Sequence, residues 1–218
     1  LPANINVASI PGVGDNVAPA LRQLGVPLTV VEPASVATTD LSRFTTVVVG
    51  PRAYESSDAL VSNSARLLEF ARNGGTLVVQ YGQYEMMRPG IMPFAITINR
   101  PHDRVADETA PVTVLAPAHA LLNVPNRITE ADWRGWVQER SLYMPRTFAE
   151  QYVPLLSLND PGQEPRNSAL LVSPYGKGTY VYTTLAFFRQ LPAGVPGAAR
   201  LFVNLLNAGR AKARGKVE

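Results

Sequence analysis

The sequence predicts an α/β fold: a doubly wound, mostly parallel sheet with an antiparallel hairpin near its C-terminal end. Two observations predict it. Short apolar runs alternate with helical patterns over the first 80 residues or so, as a parallel sheet with crossover helices requires. Two longer apolar runs, 168–174 and 178–185, flank Tyr175-Gly176-Lys177, a spacing that is typical of a hairpin.

The first strands and helices are predicted from runs of branched residues and from the residues that end helices. The run 45–49 is continuously apolar, so we expect it at the centre of the sheet. One helix begins after Asp15, a good N-cap residue. The next ends at Asn73-Gly74, because glycine permits the positive φ that stops a helix. The predicted strands are 4–10, 28–31, 45–49 and 76–80, and the helices run from Asp15 to Leu24 and from Ser57 or Asp58 to Asn73.

The rest of the chain has a less regular pattern. Short strands are predicted at 94–98 and 112–115, and a closing helix at 196–206. Thr129 and Asp132 have the spacing of a capping box, so we expect a helix there with Trp133, Trp136 and Val137 on its apolar face. We predict one domain over residues 1–209, followed by a basic, solvated tail at 210–218.

Composition excludes several classes of protein. The chain has no cysteine, which removes disulfides, thiolate zinc sites and a cysteine nucleophile. No apolar run approaches the roughly 20 residues of a membrane helix, so we predict no membrane span. The pI near 9.3 comes from the tail, because residues 1–209 carry equal numbers of basic and acidic side chains. We therefore predict no nucleic-acid partner.

The start of the chain and its lack of cysteine bear on its cellular location. The sequence begins at Leu1 rather than Met, so we expect a mature product or a piece of a longer chain. The absence of cysteine is compatible with export. We favour a periplasmic or extracellular location over a cytoplasmic one.

Polar residues follow the central strands at the edge where α/β proteins bind ligands. Arg52 and Tyr54 follow the run 45–49, Gln80 and Tyr81 end the next strand, and Arg189 follows the last one. Arg52 and Arg189 could hold a carboxylate or phosphate; the alternative is that both bind backbone carbonyls of loops. Aromatic Trp136 could stack on a sugar or lie in the core. The predicted ligand-binding residues are Arg52, Tyr54, Gln80, Tyr81, Trp136 and Arg189.

Other motifs are weaker. Gly12-Val13-Gly14 lacks the third glycine of a dinucleotide site, so we interpret it as a turn with Asp15 as cap. The polar segment 102–108 is interpreted as a solvated acidic loop, with a weak cation site as the alternative. Asp132 with Arg134 and Glu139 with Arg140 are expected to be surface ion pairs. We predict no catalytic residue, no metal and no cofactor.

The break 78–82, Val-Val-Gln-Tyr-Gly, resembles the nucleophile turn of the class I glutamine amidotransferase-like fold, which is also flavodoxin-like. Gln80 stands where that family has its cysteine, and 188–190 lacks the family's His-x-Glu pair. Longer segments resemble the C-terminal domain of large bacterial deacetylases of the PIG-L/LmbE type. These segments are 48–54, 73–81, 136–140, 175–180 and 187–197.

This resemblance implies a catalytically silent accessory domain of a deacetylase. Such a domain would bind a saccharide, or pack against an N-terminal deacetylase domain or a second copy of the chain. It implies that this chain alone is not an enzyme. The alternative of another class is a hydrolase acting on carbohydrate with an unconventional site, using Asp132, Glu139 or a cation held near His102.

Overall fold

The computed structural model describes residues 1–209, and the predicted basic tail at 210–218 lies outside them. The strands of the described part are short, and most have four residues or fewer. They are β1 (Val7–Ile10), β2 (Leu28–Val30), β3 (Thr46–Val49), β4 (Thr76–Gln80), β5 (Ile96–Thr97), β6 (Asp103–Val105), β7 (Val112–Val114), β8 (Ser141–Met144), β9 (Thr147–Phe148), β10 (Val153–Pro154), β11 (Leu156–Leu158), β12 (Leu170–Tyr175) and β13 (Gly178–Thr183).

The helices lie before β4 and after β13, apart from single 3-10 turns. In chain order they are α1 (Val17–Gln23), α2 (Ala53–Ser56), α3 (Asp58–Ser62), α4 (Ser64–Arg72), α5 (Phe187–Gln190) and α6 (Pro196–Leu206). The bounds of α6 agree with the predicted closing helix. Its start is favoured by Pro196 at the first helical position, where no amide hydrogen is needed.

Seven strands form one mixed sheet in the order β10-β12-β13-β4-β3-β1-β2. The five strands from β13 to β2 are parallel to their neighbours, with β3 between β1 and β4. The strands β12 and β10 are antiparallel and form one edge. The other strands pair as three separate two-stranded antiparallel sheets, β5 with β9, β6 with β8 and β7 with β11.

The predicted fold class is therefore wrong. A flavodoxin-like or glutamine amidotransferase-like doubly wound sheet would return from β4 to β13 through helices. Here the segment between β4 and β12 has 3-10 turns and strands of two to four residues instead, and of these strands only β10 joins the main sheet. The physical reason is that these residues have no sustained helical period, so no crossover helix forms there.

The predicted helix after Thr129 is also much shorter than expected. The capping box forms, with Thr129 as N-cap and Asp132 at the third position, but only Glu130–Trp133 are helical, as a 3-10 turn. Gly135 and Gln138 then have φ of 72° and 67°. A helix cannot continue through residues in that conformation, so Trp136 and Val137 lie beyond its end.

The core has two parts, one on each face of the main sheet. One part joins α1 and α6 to the sheet and contains Trp133, Trp136 and Phe187. The other joins α3 and α4 to the opposite face and contains the buried rings of Tyr54 and Tyr182. Strand alternation sends Val78 to the first part and Leu77 and Val79 to the second. Both faces are covered, so function must lie at the strand ends.

Candidate functional site

Arg52 stands directly beyond the carboxyl end of β3 in a strained conformation. Its φ of 57° is left-handed, which is uncommon for a residue other than glycine and costs of order 1–3 kcal/mol. Its backbone amide donates to the carbonyl of Tyr81 (2.8 Å) and so ties the end of β3 to the end of β4. Its guanidinium binds both carboxylate oxygens of Glu55 at 2.7 Å. This pair raises the pKa of Arg52 and lowers that of Glu55.

Aromatic rings cover the end of β4. The ring of Tyr81 lies 5.5 Å from that of Phe188 and 6.1 Å from that of Tyr143, which stacks in turn on His102 at 3.7 Å. Tyr143 also has a left-handed φ of 51°. Tyr84 contacts Tyr143 edge-on. Tyr81 itself is 6% exposed, and the other four rings are half-buried around it and form a surface suited to stacking on a planar group.

Two arginines act on the phenol of Tyr81. Burial raises the pKa of Tyr81 to about 12, while the positive charges of Arg52 and Arg189 act in the opposite direction. The geometry of the two arginines is given by their contacts: the amide of Arg52 donates to the carbonyl of Tyr81, and the guanidinium of Arg189 lies 4.9 Å from the centre of the Phe188 ring, which contacts Tyr81. The side chains of the two arginines are 32% and 36% exposed, so both remain open to a ligand.

Glu139 holds Arg189 in place. Its buried carboxylate accepts from Nε of Arg189 (2.7 Å) and from Nη2 of Arg104 (2.8 Å). The side chain of Gln138, which has a left-handed φ of 67°, accepts from the second nitrogen of Arg189. One buried acid thus fixes two half-exposed arginines beside the rings.

The prediction that Asp132 and Glu139 form surface ion pairs with nearby arginines is wrong. Glu139 is 3% exposed and does not pair with Arg140, whose buried guanidinium donates to the carbonyls of Ala110 and Trp133. Burial lowers the pKa of Arg140 to about 10, and this value is still high enough for the guanidinium to be charged at neutral pH. Asp132 is also buried and pairs with Arg200 of α6 rather than with Arg134. Both acids serve long-range contacts that sequence spacing does not reveal.

The structure brings together three of the six predicted ligand-binding residues, Arg52, Tyr81 and Arg189. Gln80 lies just beneath them at the end of β4 and is 2% exposed. Tyr54 lies in the core, where burial raises its pKa. Trp136 is 3% exposed, and its indole nitrogen donates to the carbonyl of Asp132.

Sequence reasoning missed several residues of this cluster. They are Tyr84, Glu85, Arg104, Tyr143 and Phe188. Tyr81 and Tyr84 both follow a predicted strand closely, and this pattern could have indicated an aromatic cluster at the strand end. The contact of Tyr143 with Tyr81 depends on antiparallel pairing of β8 with β6, for which the sequence has no local signal.

The motifs at the other strand ends have structural roles. Asp15 accepts from the amides of Gly12 and Val17, as a cap of the predicted turn does. A Cβ on Gly12 would lie 2.0 Å from the carbonyl oxygen of Pro51, so this glycine serves close packing.

The segment 102–108 is not the solvated loop that we expected. His102 stacks on Tyr143, and burial together with Arg104 lowers its pKa. Asp103 lies in β6; burial opposes its ionisation, but Arg146 and Arg166 hold its pKa below the usual value.

A cleft of about 550 Å³ lies at the opposite, amino edge of the sheet. Two of its charged side chains already have partners: Asp40 accepts from Ser42, and Arg66 donates to the carbonyls of Val36 and Thr39. The carboxyl edge, with half-exposed guanidinium groups, strained residues and an unpartnered amide, has the stronger chemistry. We therefore place the candidate site at the carboxyl edge, a surface formed by Arg52, Tyr81, Tyr143, Phe188 and Arg189.

No family model and no curated protein matches the chain. Solved structures do resemble it. STM3548, a cytoplasmic protein from Salmonella typhimurium, has a TM-score of 0.61 and 14% identity, over 93% of this chain and 98% of that chain. PurLQS from Thermotoga maritima has a TM-score of 0.60 and 13% identity, over the same shares of the two chains. A β-galactosidase from Rahnella sp. R3 has a TM-score of 0.54 and 18% identity, over 95% of this chain but only 32% of that one.

These likenesses concern the fold, and they correct the predicted family. None of the three is a deacetylase of the PIG-L/LmbE type, so the assignment to a C-terminal, amidotransferase-like domain of such deacetylases is wrong. The short segments that suggested it are strand ends and turns, which unrelated α/β proteins share.

The function and location predicted with that family are corrected too. An accessory role in a deacetylase, and the carbohydrate hydrolase offered as its alternative, have no support. A predicted saccharide ligand loses its stacking ring, because Trp136 lies in the core. Export is not supported, since STM3548 is a cytoplasmic protein. Within residues 1–209, no helix combines the length and the apolar character needed to cross a membrane.

Proposed function

We propose that this chain is a binding module for a small anionic ligand that carries a planar ring, held at the carboxyl edge of the sheet. The observation that carries the proposal is the pair of half-exposed guanidinium groups beside the aromatic cluster: Arg52 is bonded through its amide to the carbonyl of Tyr81, and Arg189 lies over the ring of Phe188. Guanidinium groups bind carboxylate through two parallel hydrogen bonds, and the neighbouring rings offer a stacking surface.

Two further features support this reading. Residues with left-handed backbone, namely Arg52, Gln138 and Tyr143, meet at this edge, and such strain is commonly kept where it serves a ligand. Each arginine also has an internal carboxylate partner, Glu55 or Glu139. A ligand carboxylate would compete with these partners, so we expect weak to moderate affinity rather than tight binding.

Calorimetric titration with benzoate tests the proposal, with phosphate as an anion that lacks a ring. We expect benzoate to bind and the Arg52→Gln variant to bind it at least about tenfold more weakly, since one bidentate contact is lost. Arg22→Gln, an exposed arginine at the end of α1, is the matched control and should bind like the wild type. Absence of binding by both anions, or equal losses in the two variants, would refute the proposal.

A second candidate is self-association, which we predicted as a homo-oligomer. Val114 and Leu115 at the end of β7 and Val153 in β10 are 37–40% exposed, and the amide of Leu115 donates to the carbonyl of Leu155, which directly follows β10. Exposed apolar strand edges favour pairing with a second chain. Light scattering should then give a dimer mass that Leu115→Lys reduces to that of a monomer. A monomeric wild type would remove this candidate.

A further inference from the structure

The side chain of Gln80 is buried at the end of β4 without any hydrogen-bond partner. Both its amide nitrogen and its amide oxygen are shielded, and neither has a partner within residues 1–209. In that part of the chain, no other buried side chain leaves both a nitrogen and an oxygen unpartnered. Such a group is costly, because its bonds to water are lost on folding and nothing replaces them.

The polar groups around Gln80 are committed elsewhere. Thr183 is its neighbour across the sheet, but the hydroxyl of Thr183 donates to the carbonyl of Ala169 and accepts from the amide of Leu185. The amide of Gln190 binds both Val137 and Glu139. The fold thus satisfies its other glutamine in this region and leaves Gln80 unpaired.

Gln80 lies next to the proposed site in the chain. Tyr81 follows it directly, and the carbonyl of Tyr81 is held by the amide of Arg52. By strand alternation its side chain faces the same side of the sheet as Val78, toward the core part that contains Phe187. Because Gln80 is 2% exposed, a ligand that reaches its amide would have to displace a side chain at the edge, and hydrogen bonds to the amide would offset that cost.

We infer that Gln80 determines ligand specificity, by binding a carboxamide or a similar group that presents a donor beside an acceptor. Its oxygen would accept from the N–H of the ligand, and its nitrogen would donate to the ligand's carbonyl. This inference rests on the proposed function, since the ligand's anionic group would be held by Arg52 and Arg189. The ligand class is then a ring that carries a carboxylate at one end and an amide at the other.

Two matched probes test the inference: 4-carbamoylbenzoate and 4-acetylbenzoate, which differ only by an amino group in place of a methyl group. We expect the wild type to bind the carbamoyl compound about tenfold more tightly. Gln80→Met, which keeps the length of the side chain, should bind the two probes equally. It should also raise the melting temperature of the free protein, because the unpartnered amide is gone.

The outcomes separate this inference from the proposed function. If the wild type binds both probes equally and Arg52→Gln weakens both, the proposed function stands and the role of Gln80 is refuted. If neither probe binds, both fall together. A lower melting temperature of Gln80→Met with an unchanged preference between the probes would make Gln80 a structural residue, and would also overturn the inference.

Discussion

The two edges of the main sheet differ in how their strands end. At the amino edge the chain is packed tightly around glycine: a Cβ on Gly178 would lie 2.1 Å from the carbonyl oxygen of Ala71 and 2.2 Å from that of Gly75. Two threonines there are bound to backbone, since Thr46 donates to the carbonyl of Leu206 and Thr76 accepts from the amide of Gly209, whereas the buried hydroxyl of Thr179 has no partner within residues 1–209. This edge stabilises the fold.

At the carboxyl edge the same strands lead into residues that cost stability. Arg52, Gln138 and Tyr143 occupy left-handed conformations where glycine would be unstrained, and Gln80 is buried without partners. Of the left-handed residues other than glycine in the described part of the chain, three lie at the carboxyl edge, where α/β sheets bind ligands, and one, Asn4, precedes β1. Substitutions that relieve strain at the carboxyl edge should therefore stabilise the protein, whereas added bulk at the amino edge should destabilise it.

The largest effect is expected at the amino edge. Gly178→Ala places a methyl group against two backbone carbonyls that cannot move without opening the junction of α4 and β4. We expect a loss of about 3–4 kcal/mol in the free energy of unfolding, in the range of severe steric substitutions. Urea unfolding followed by circular dichroism measures it.

Gly90→Ala is the control for this steric cost. Unlike Gly178, Gly90 has a positive φ of 86°, but a Cβ added there would meet no atom within 4 Å. It should lose only about 1 kcal/mol, from backbone strain alone. Equal losses at the two positions would show that the amino edge is not tightly packed.

Glu139→Gln probes the network that supports the carboxyl edge. The substitution leaves Arg104 and Arg189 without the buried charge that they share. We expect a loss of about 2 kcal/mol in stability, below that of a fully buried pair because both arginines reach solvent. Asp107→Asn, a change of an acid at the surface that accepts from Thr109, should lower the free energy of unfolding clearly less in the same assay. Equal costs would mean that Glu139 is not an anchor of the edge.

The parts of the fold that could be predicted are those that depend on local pattern. The continuously apolar run at β3 identified a central strand, and Asn73-Gly74 identified the end of α4. Both follow from a few adjacent residues. The predicted hairpin around Tyr175-Gly176-Lys177 is also present, as β12 and β13. Between β4 and β12 the sequence indicated short strands near β5 and β7 but not their partners, because strands of two to four residues pair there with distant segments.

The same limit applies to the candidate site. Arg52 and Tyr81 were predicted because each directly follows a strand of the parallel sheet. Tyr143 and Glu139 were not placed correctly, since their positions depend on β8 and on the turn at Gly135. The partners that a buried acid chooses, such as Arg189 fifty residues away from Glu139 in sequence, follow from packing and not from spacing.

Arg52→Gly should stabilise the protein and weaken ligand binding together. Glycine relieves the left-handed strain, a gain of about 1 kcal/mol that the lost pair with Glu55 partly cancels. Asn4→Gly is a matched control, because exposed Asn4 has the same φ of 57°. It should stabilise to a similar degree and leave benzoate affinity unchanged. Destabilisation by Arg52→Gly would show that the strain is not the main cost at this edge.

The smallest effect concerns the pH dependence of stability. Burial raises the pKa of Glu85, aided by the charge of Glu55. The stability that Glu85 contributes is therefore fully present below its pKa in the unfolded chain, and it is lost as the pH rises through its higher pKa in the folded protein. Glu85→Gln keeps an acceptor for the amide of Gln83, to which Glu85 binds at 2.8 Å. The Glu85→Gln variant should therefore have the melting temperature of the wild type at about pH 4 and a slightly higher one at about pH 8.

Glu55, on the same surface, should affect the pH dependence of stability in the opposite direction. Its hydrogen bond to Arg52 lowers its pKa, so its contribution is present above the unfolded value and is lost as pH falls. The Glu55→Gln variant should then have a lower melting temperature than the wild type at about pH 8 and the same melting temperature at about pH 3. If the melting temperatures of the two variants, relative to the wild type, changed in the same direction with pH, the opposed environments of these two acids would be contradicted.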